Sequence, residues 1–258
     1  MDASFDIAAV NYDQSFTHTL IGKLQRRVVY KIISPHLSSV KDIFEINCGT
    51  GEDALWFASQ KFNVVATDIS EKMIAIAKTK NQYQNLDFST LDITTISSFD
   101  KEKKQDLLFS NFGGLNCLSP DELSSFFKTA PDFLKEKGKL ILVLMPKNTL
   151  WEQFYFFTKG KFNTIFRRKK KIVYANVDGE NVPTYYYNPK EIVHLTKEKF
   201  KCIEYKPIGF FIPPSYLEPF FKNRKWFLNF LNLMENSIQK LRFLSKYADH
   251  YIIILQKL

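Results

Sequence analysis

The sequence predicts an α/β fold: a doubly wound, mainly parallel sheet of seven strands with helices on both faces. Three observations predict it. Short apolar runs alternate with segments of helical period from about residue 42 to residue 146, the pattern of strands joined by crossover helices. The first run ends in a glycine turn, "FEINCGTGED" at 44–53, where the backbone comes too close to a partner for side chains. Two more strand-like runs, "KCIEYKPIG" and "DHYIIILQKL", follow once the alternation has broken.

The elements follow in order. In "SFTHTLIGKLQRRVVYKIIS", Leu20, Ile21, Leu24, Val28 and Ile32 recur at helical spacing, and Pro35 stops the helix. "DIFEIN" reads as a buried strand, "GEDALWFASQ" as a helix and "NVVATD" as the second strand. "SEKMIAIAKTK" is a helix with Ser70 as N-cap. "LDFSTLD" and "DLLFSN" supply strands three and four. "SPDELSSFFKTAPDFLK" opens on a capping box, Ser119 with Glu122, and "KLILVLMP" is strand five. In "KIVYANVDGENVPTYYY" two β-rich runs flank "DGEN", a hairpin. A helix "PKEIVHLTKEKF" precedes the sixth strand, and residues 215–246 read as long helical material before the last.

A chain of 258 residues with 45% hydrophobic residues can bury a substantial core and suits a single domain. Its expected divisions are an N-terminal helical segment over 1–40, a core over 41–146, an aromatic and basic insertion with the hairpin over 147–187, and acceptor-side helices and final strands over 188–258. The basic excess is not evenly spread. Residues 1–150 hold 17 Lys+Arg against 18 Asp+Glu, and residues 151–258 hold 19 against 9. Steering of an anionic partner therefore belongs to the second half. Cys48, Cys117 and Cys202 are too far apart for metal-ligand spacing and odd in number, so neither a disulfide framework nor a metal site is expected. The N-terminus lacks the apolar core of a signal peptide, no run reaches membrane-span length, and a reducing cytoplasm is the expected location.

The glycine turn excludes a P-loop, because no Gly-Lys-Ser/Thr follows. Three carboxylates narrow the ligand. Glu45 precedes the turn, where it repels a pyrophosphate and attracts an ammonium or sulfonium charge. Asp68 ends strand two, placed to accept from both hydroxyls of a ribose. Asp92 ends strand three, where an adenine edge can be read. Strand four then runs into "SNFGGLN".

With these motifs in order, the chain resembles the class I S-adenosylmethionine-dependent methyltransferases of small-molecule type, over roughly residues 40–146. The resemblance implies a Rossmann-like sheet, an N-terminal helical lid, S-adenosylmethionine as cofactor and S-adenosylhomocysteine as product. By position it implies that Glu45, Asn47, Gly49 and Gly51 surround the methionine moiety. Asp68 would hold the ribose, with Ile69 and Met73 flanking the adenine. Asp92 and Ile93 would meet the adenine edge, and Asn111 would face the reaction centre. Asn47 stands where the family usually has glycine, and asparagine tolerates the left-handed backbone such a turn needs. "NYDQSFTHTLIGKLQ" looks like the lid, with Tyr12 over the cofactor and His18 the candidate base among four histidines. His250 is read as structural.

The acceptor side is expected after strand five, where Trp151, Phe154, Tyr155, Phe156, Phe157, Phe162 and Phe166 suggest an aromatic-lined pocket for a small lipophilic or aromatic acceptor. One or two of Tyr185, Tyr186 and Tyr187 would join it. "RRKKK" (167–171) reads as a solvated face, with three sharper partners in competition: nucleic acid, an anionic membrane, and an acidic carrier protein. A basic amphipathic helix around Trp226, Phe227, Phe230 and Leu231 adds to the membrane reading and to a peripheral place at the inner membrane face. Nucleic acid is disfavoured, since neither an RNA-binding module nor a "DPPY"-like motif is present. A nucleic-acid methyltransferase using the basic 159–171 segment, a non-catalytic cofactor-binding protein and an NAD(P)-dependent enzyme are the alternatives. The last lacks a Tyr-x-x-x-Lys pair. Composition says nothing of oligomeric state.

Overall fold

The computed structural model describes residues 5–100, 102–177 and 179–258. Its sheet has seven strands in the order β3-β2-β1-β4-β5-β9-β8. Strands β1 (Asp42–Ile46), β2 (Asn63–Asp68), β3 (Leu86–Thr90), β4 (Gln105–Ser110) and β5 (Leu134–Leu144) run parallel. β9 (His250–Lys257) lies antiparallel between β5 and β8 (Phe200–Ile208). β6 (Val173–Val177) and β7 (Glu180–Thr184) form the expected hairpin as a separate antiparallel pair. Asp178 of its turn lies outside the described residues.

Strand residues alternate between two cores. From β9, Ile252 and Ile254 enter one core with Val29, Phe57 and Leu228, while Tyr251, Ile253 and Leu255 enter the other with Phe126, Phe127 and Ile192. Period-two alternation into two apolar layers is why these strands read as near-continuous hydrophobic runs. The first core is covered by α2 (Leu20–Ile33), α3 (Glu52–Ser59), α4 (Glu71–Lys80) and α9 (Lys225–Ser237); the second by α5 (Pro120–Thr129) and α7 (Pro189–Thr196). The caps read from sequence are formed. Ser70 Oγ accepts from Met73 N–H at 3.1 Å, and Ser119 with Glu122 closes a capping box.

Two helical segments differ from expectation. Before α2, the chain makes a short helix α1 (Ala9–Tyr12) and a π-turn at Asp13–Thr17, and Thr19 then caps α2. Residues 215–246 are not one helix but a 3-10 turn, α8 (Glu218–Phe221), α9 and a second 3-10 turn. The break at 222–224 folds Phe227 back onto Phe221, ring centroids 5.8 Å apart, which a straight helix would forbid. It also brings Glu235, fully buried, to accept four backbone N–H bonds from Gly209 to Ile212. Between β5 and the hairpin lies α6 (Leu150–Thr158).

Candidate active site

The strand order reverses between β1 and β4, and ligands of such sheets bind outside the carboxyl ends of the strands at that point. A cleft of about 430 Å³ lies there, lined by Tyr12, Asn47, Gly49, Asp68, Ile69, Met73, Asp92, Ile93 and Asn111. The loop after β1 is built from left-handed residues, with φ of 57° at Asn47, 54° at Gly49 and 80° at Gly51. Asn47 fits because the facing loop is bare. A Cβ on Gly114 would stand 2.5 Å from Asn47 Cβ, so the bareness of Gly114 is what admits an asparagine here. Ser110 Oγ–H donates to Asn47 Oδ1 at 3.3 Å.

Asp68 is buried, and its two oxygens accept Gly49 N–H at 2.8 Å and Ser70 N–H at 2.9 Å. Burial pushes its carboxyl above the usual range, and these N–H donors oppose the shift. Asp68 lines the cleft, and a carboxylate has capacity to accept from a hydroxyl donor in addition to these backbone groups. Asp92 lines the cleft while its Oδ1 caps Thr94 at 2.8 Å. Tyr12 sits over Gly49, its Cε1 3.8 Å from where a Cβ would be. Burial pushes the Tyr12 phenol up to about 12, so it stays protonated at neutral pH.

The N-terminal segment is tied to the cofactor loops. Ser70 Oγ–H donates to Asp6, Thr50 Oγ1–H to Asp13 at 2.6 Å, and Lys80 pairs with Asp13 at 2.9 Å. Phe16 meets Phe112 edge-on at 5.0 Å.

Three expected residues, Gly51, Glu45 and His18, lie off the cleft wall. Gly51 is turned away, and a Cβ there would meet the Phe88 ring at 2.6 Å, so its bareness serves helix–strand packing. Glu45 is buried beneath the loop, with Oε2 lacking a hydrogen bond. Burial and then Asp53 push its carboxyl well above the usual range, and Arg26 opposes them. His18 is exposed and its side chain does not reach the cleft. His250 is buried against Phe112, ring centroids 5.5 Å apart.

A recess continuous with the cleft contains what the sequence did not reveal. It is about 30 Å³ and is lined by Arg26, Asp53, Thr17, Asn47, Gly49 and Asn111 among others. Asp53 accepts from Arg26 Nε at 2.9 Å, Tyr30 Oη at 2.7 Å and Asn111 Nδ2 at 3.0 Å. Arg26 is only 8% exposed, and its Nη1 has no protein partner. The available signal was phase: Arg26 stands three residues before Val29 and seven before Ile33, a charge on the core-facing side of a helix.

The acceptor end of the cleft also differs from expectation. The hairpin walls it, through Ala175, Val182, Pro183, Thr184 and Tyr185, opposite Cys117, Leu118 and Met145. The aromatic segment before the hairpin does not. Phe154, Phe157, Phe162 and Phe166 are all more than half exposed. Tyr185 faces the cleft, Tyr186 is buried under the Arg168 guanidinium at 4.9 Å, and Tyr187 Oη–H donates to Leu118 O at 2.6 Å. Nor is the "RRKKK" run uniformly solvated: Arg168 is buried, held by Glu152 at 3.1 Å and Asp249 at 3.2 Å.

The unpartnered Arg26 Nη1 offers a donor for a carboxylate, and Asp68 offers acceptors for a ribose, so the residues present fit S-adenosylmethionine. Comparison with known proteins agrees. Residues 43–138 match the family model described as a methyltransferase domain. Over 202 residues the chain is 28% identical to the malonyl-[acyl-carrier protein] O-methyltransferase of Bacillus anthracis, covering 74% of this chain and 65% of that protein. The chain spans less than two thirds of the length of the curated relatives it matches. A solved S-adenosylmethionine-dependent methyltransferase of Methanosarcina mazei superposes with a TM-score of 0.59 at 20% identity, covering 89% of this chain and 98% of that one. The DhpI–SAH complex gives 0.61 at 13% identity, over 98% and 93%. At these identities the structural likeness is one of fold. The sheet has the fold of the S-adenosylmethionine-dependent methyltransferases, and the segment 43–138, which carries the ordered motifs, matches a methyltransferase domain.

Proposed function

We propose that the protein transfers the methyl group of S-adenosylmethionine to a small, lipophilic acceptor without a free carboxylate, bound between the cofactor loops and the β6–β7 hairpin. The observation that carries this is the cleft wall. Among the described residues, its acidic and basic side chains are Asp68, Asp92 and Glu122, all acidic, and its far end is apolar. An anionic acceptor would be repelled there and would find no cation to pair with. Glu122 is already engaged by Ser119 in the capping box.

In this reading, Arg26 and the Gly49 backbone hold the methionine end, with the Glu45 carboxyl buried beneath it. Asp68 holds the ribose. Ile69, Met73 and Ile93 enclose the adenine, with Asp92 at its edge, and Tyr12 covers the loop. The cofactor supplies a sulfonium methyl open to in-line displacement. The protein's part is alignment and exclusion of water by the lid. His18 is exposed and is not among the lining residues, so this reading gives it no role as base and takes the acceptor to be nucleophilic as bound. The relatives' printed name makes carrier-tethered acceptors the second class to test.

The experiment is parallel calorimetric titration with S-adenosylmethionine, S-adenosylhomocysteine and NADH, followed by methyl transfer to lipophilic phenols and amines and to malonyl-carrier protein. Binding of the first two cofactors and methylation of the neutral lipophiles is the expected result. Binding of NADH alone, or methylation of the malonyl-carrier alone, would overturn the proposal.

A further inference from the structure

Two helices of the second half expose their apolar stripes. On α6, Leu150, Phe154 and Phe157 are 45%, 63% and 61% exposed; on α9, Trp226, Phe230 and Leu233 are 75%, 51% and 68% exposed. Each set follows the i, i+4, i+7 spacing of one helix face. Each helix already has a packed side elsewhere. Trp151 of α6 meets Phe221 of α8 edge-on at 6.4 Å and donates Nε1–H to Phe210 O at 2.9 Å. Phe227 of α9 stacks on the same Phe221, and Leu228 and Leu231 are buried. Both helices thus meet α8 through Phe221, forming a layer in which each keeps an apolar stripe exposed. Soluble monomers rarely leave such a face uncovered.

The charges on this layer have one sign at the surface. Residues 150–171 and 216–233 carry ten Lys or Arg and two Glu, Glu152 and Glu218. Both acids are used internally. Glu152, 2% exposed, binds Arg167 and Arg168, and Glu218 accepts the Leu20 and Ile21 N–H groups at 2.9 and 3.0 Å. Lys159, Lys161, Lys169, Lys170, Lys171, Lys222, Arg224 and Lys225 remain exposed. Some lie along aromatic rings, Lys169 over Phe166 at 4.5 Å and Arg224 over Phe220 at 4.2 Å. In these pairs the charged head lies over the ring, so cation and aromatic share one patch of surface.

We propose that this α6–α8–α9 face docks on an anionic lipid bilayer, with the aromatic stripes entering the headgroup–acyl boundary and the lysines meeting lipid phosphates. Aromatic side chains flanked by cations on amphipathic helices match that interface in both polarity and charge. A second copy of this chain is a poorer occupant, since a two-fold contact sets the same cations against each other. The proposal stands independently of the acceptor, although a membrane would also supply lipophilic ones.

The test is co-sedimentation with phosphatidylcholine vesicles, with and without phosphatidylglycerol, while the fluorescence of exposed Trp226 is recorded. Binding to the phosphatidylglycerol vesicles, weakened by salt and accompanied by a blue shift, is expected. Phe154→Ser/Phe157→Ser and Trp226→Ser/Phe230→Ser should each lower that binding by about tenfold or more, with S-adenosylhomocysteine affinity unchanged as a check on folding. Lys169→Glu/Lys170→Glu/Lys171→Glu should abolish the preference for anionic lipid. Absence of vesicle binding, binding that none of the variants alters, or a dimer or an acidic carrier-protein complex that these variants dissolve instead would overturn the proposal.

Discussion

Replacing Asp53 with alanine tests the recess directly. The carboxylate accepts four contacts: Arg26 Nε at 2.9 Å, Arg26 Nη2 at 3.4 Å, Tyr30 Oη at 2.7 Å and Asn111 Nδ2 at 3.0 Å. Its loss strands a guanidinium that is only 8% exposed. Breaking a buried pair by removing one partner costs about 3–5 kcal/mol, and because the four donors share one network that figure covers the whole. Urea denaturation should show it as a lower midpoint at unchanged slope. The double variant Arg26→Met/Asp53→Leu removes both charges at similar volume and should recover part of that loss, remaining about 1–3 kcal/mol below the parent because Tyr30 Oη and Asn111 Nδ2 lose their acceptor. Affinity for S-adenosylhomocysteine should not recover. Without Nη1 the methionine carboxylate loses a charge-assisted hydrogen bond of about 1.5–3 kcal/mol, roughly 10- to 100-fold in Kd. A cost below about 1 kcal/mol for Asp53→Ala would refute the buried pairing. Parental affinity in the double variant would refute the placement of the methionine end.

Four further outcomes are expected. Asp68→Asn leaves one acceptor oxygen for the Gly49 and Ser70 N–H groups and removes the charge facing the ribose, so calorimetry should show cofactor affinity weaker by about 1–3 kcal/mol. Gly51→Ala should destabilise by about 2 kcal/mol or more, through the left-handed backbone and the Phe88 contact, yet leave cofactor affinity of the folded fraction within about threefold, because its side chain would not enter the cleft. Burial alone would raise the Asp249 carboxyl, but His250 and Arg168 beside it hold it well below the usual range. A depressed folded value stabilises above the unfolded pKa and is lost as pH falls towards the folded one. The stability advantage over Asp249→Asn should therefore be constant above about pH 5 and shrink below about pH 4 in denaturant titrations. Val182→Asp, at the apolar end of the cleft, should raise the acceptor KM while leaving S-adenosylhomocysteine binding intact.

The legible parts were those fixed by short-range geometry. The capping box at Ser119–Glu122, the cap at Ser70 and the strand end at Asp68 are decided within about four residues, and each is where its sequence puts it; β3 stops at Thr90, and Asp92 caps the 3-10 turn that follows instead of ending the strand. The cleft follows because a doubly wound sheet presents its strand ends together. Asn47 was legible as left-handed, but the reason it is accommodated lies 67 residues on, in the bare Gly114.

What stayed hidden depends on which way a face turns. An i, i+4, i+7 apolar stripe has the same spelling whether it meets a core, a pocket or solvent. Sequence therefore gave Phe154 and Phe157 to the acceptor pocket, and the fold gives them to the surface. The pocket wall went instead to a hairpin whose Ala175, Val182 and Pro183 carry little chemical signal. Charge was ambiguous in the same way. "RRKKK" reads as one solvated run, yet Arg168 is buried because Glu152, fifteen and sixteen residues before Arg167 and Arg168, turns inward to meet them. Arg26 was hidden among the many Lys and Arg of a basic chain, although it alone interrupts the core-facing row with Val29 and Ile33. A charge in core phase is a signal of function when the charge is left partly unpaired in the fold. Arg168 is paired at all three nitrogens and braces the fold; Arg26 is paired through Nε and Nη2 and keeps a buried Nη1 without a protein partner, the observation behind the proposed contact with the methionine carboxylate.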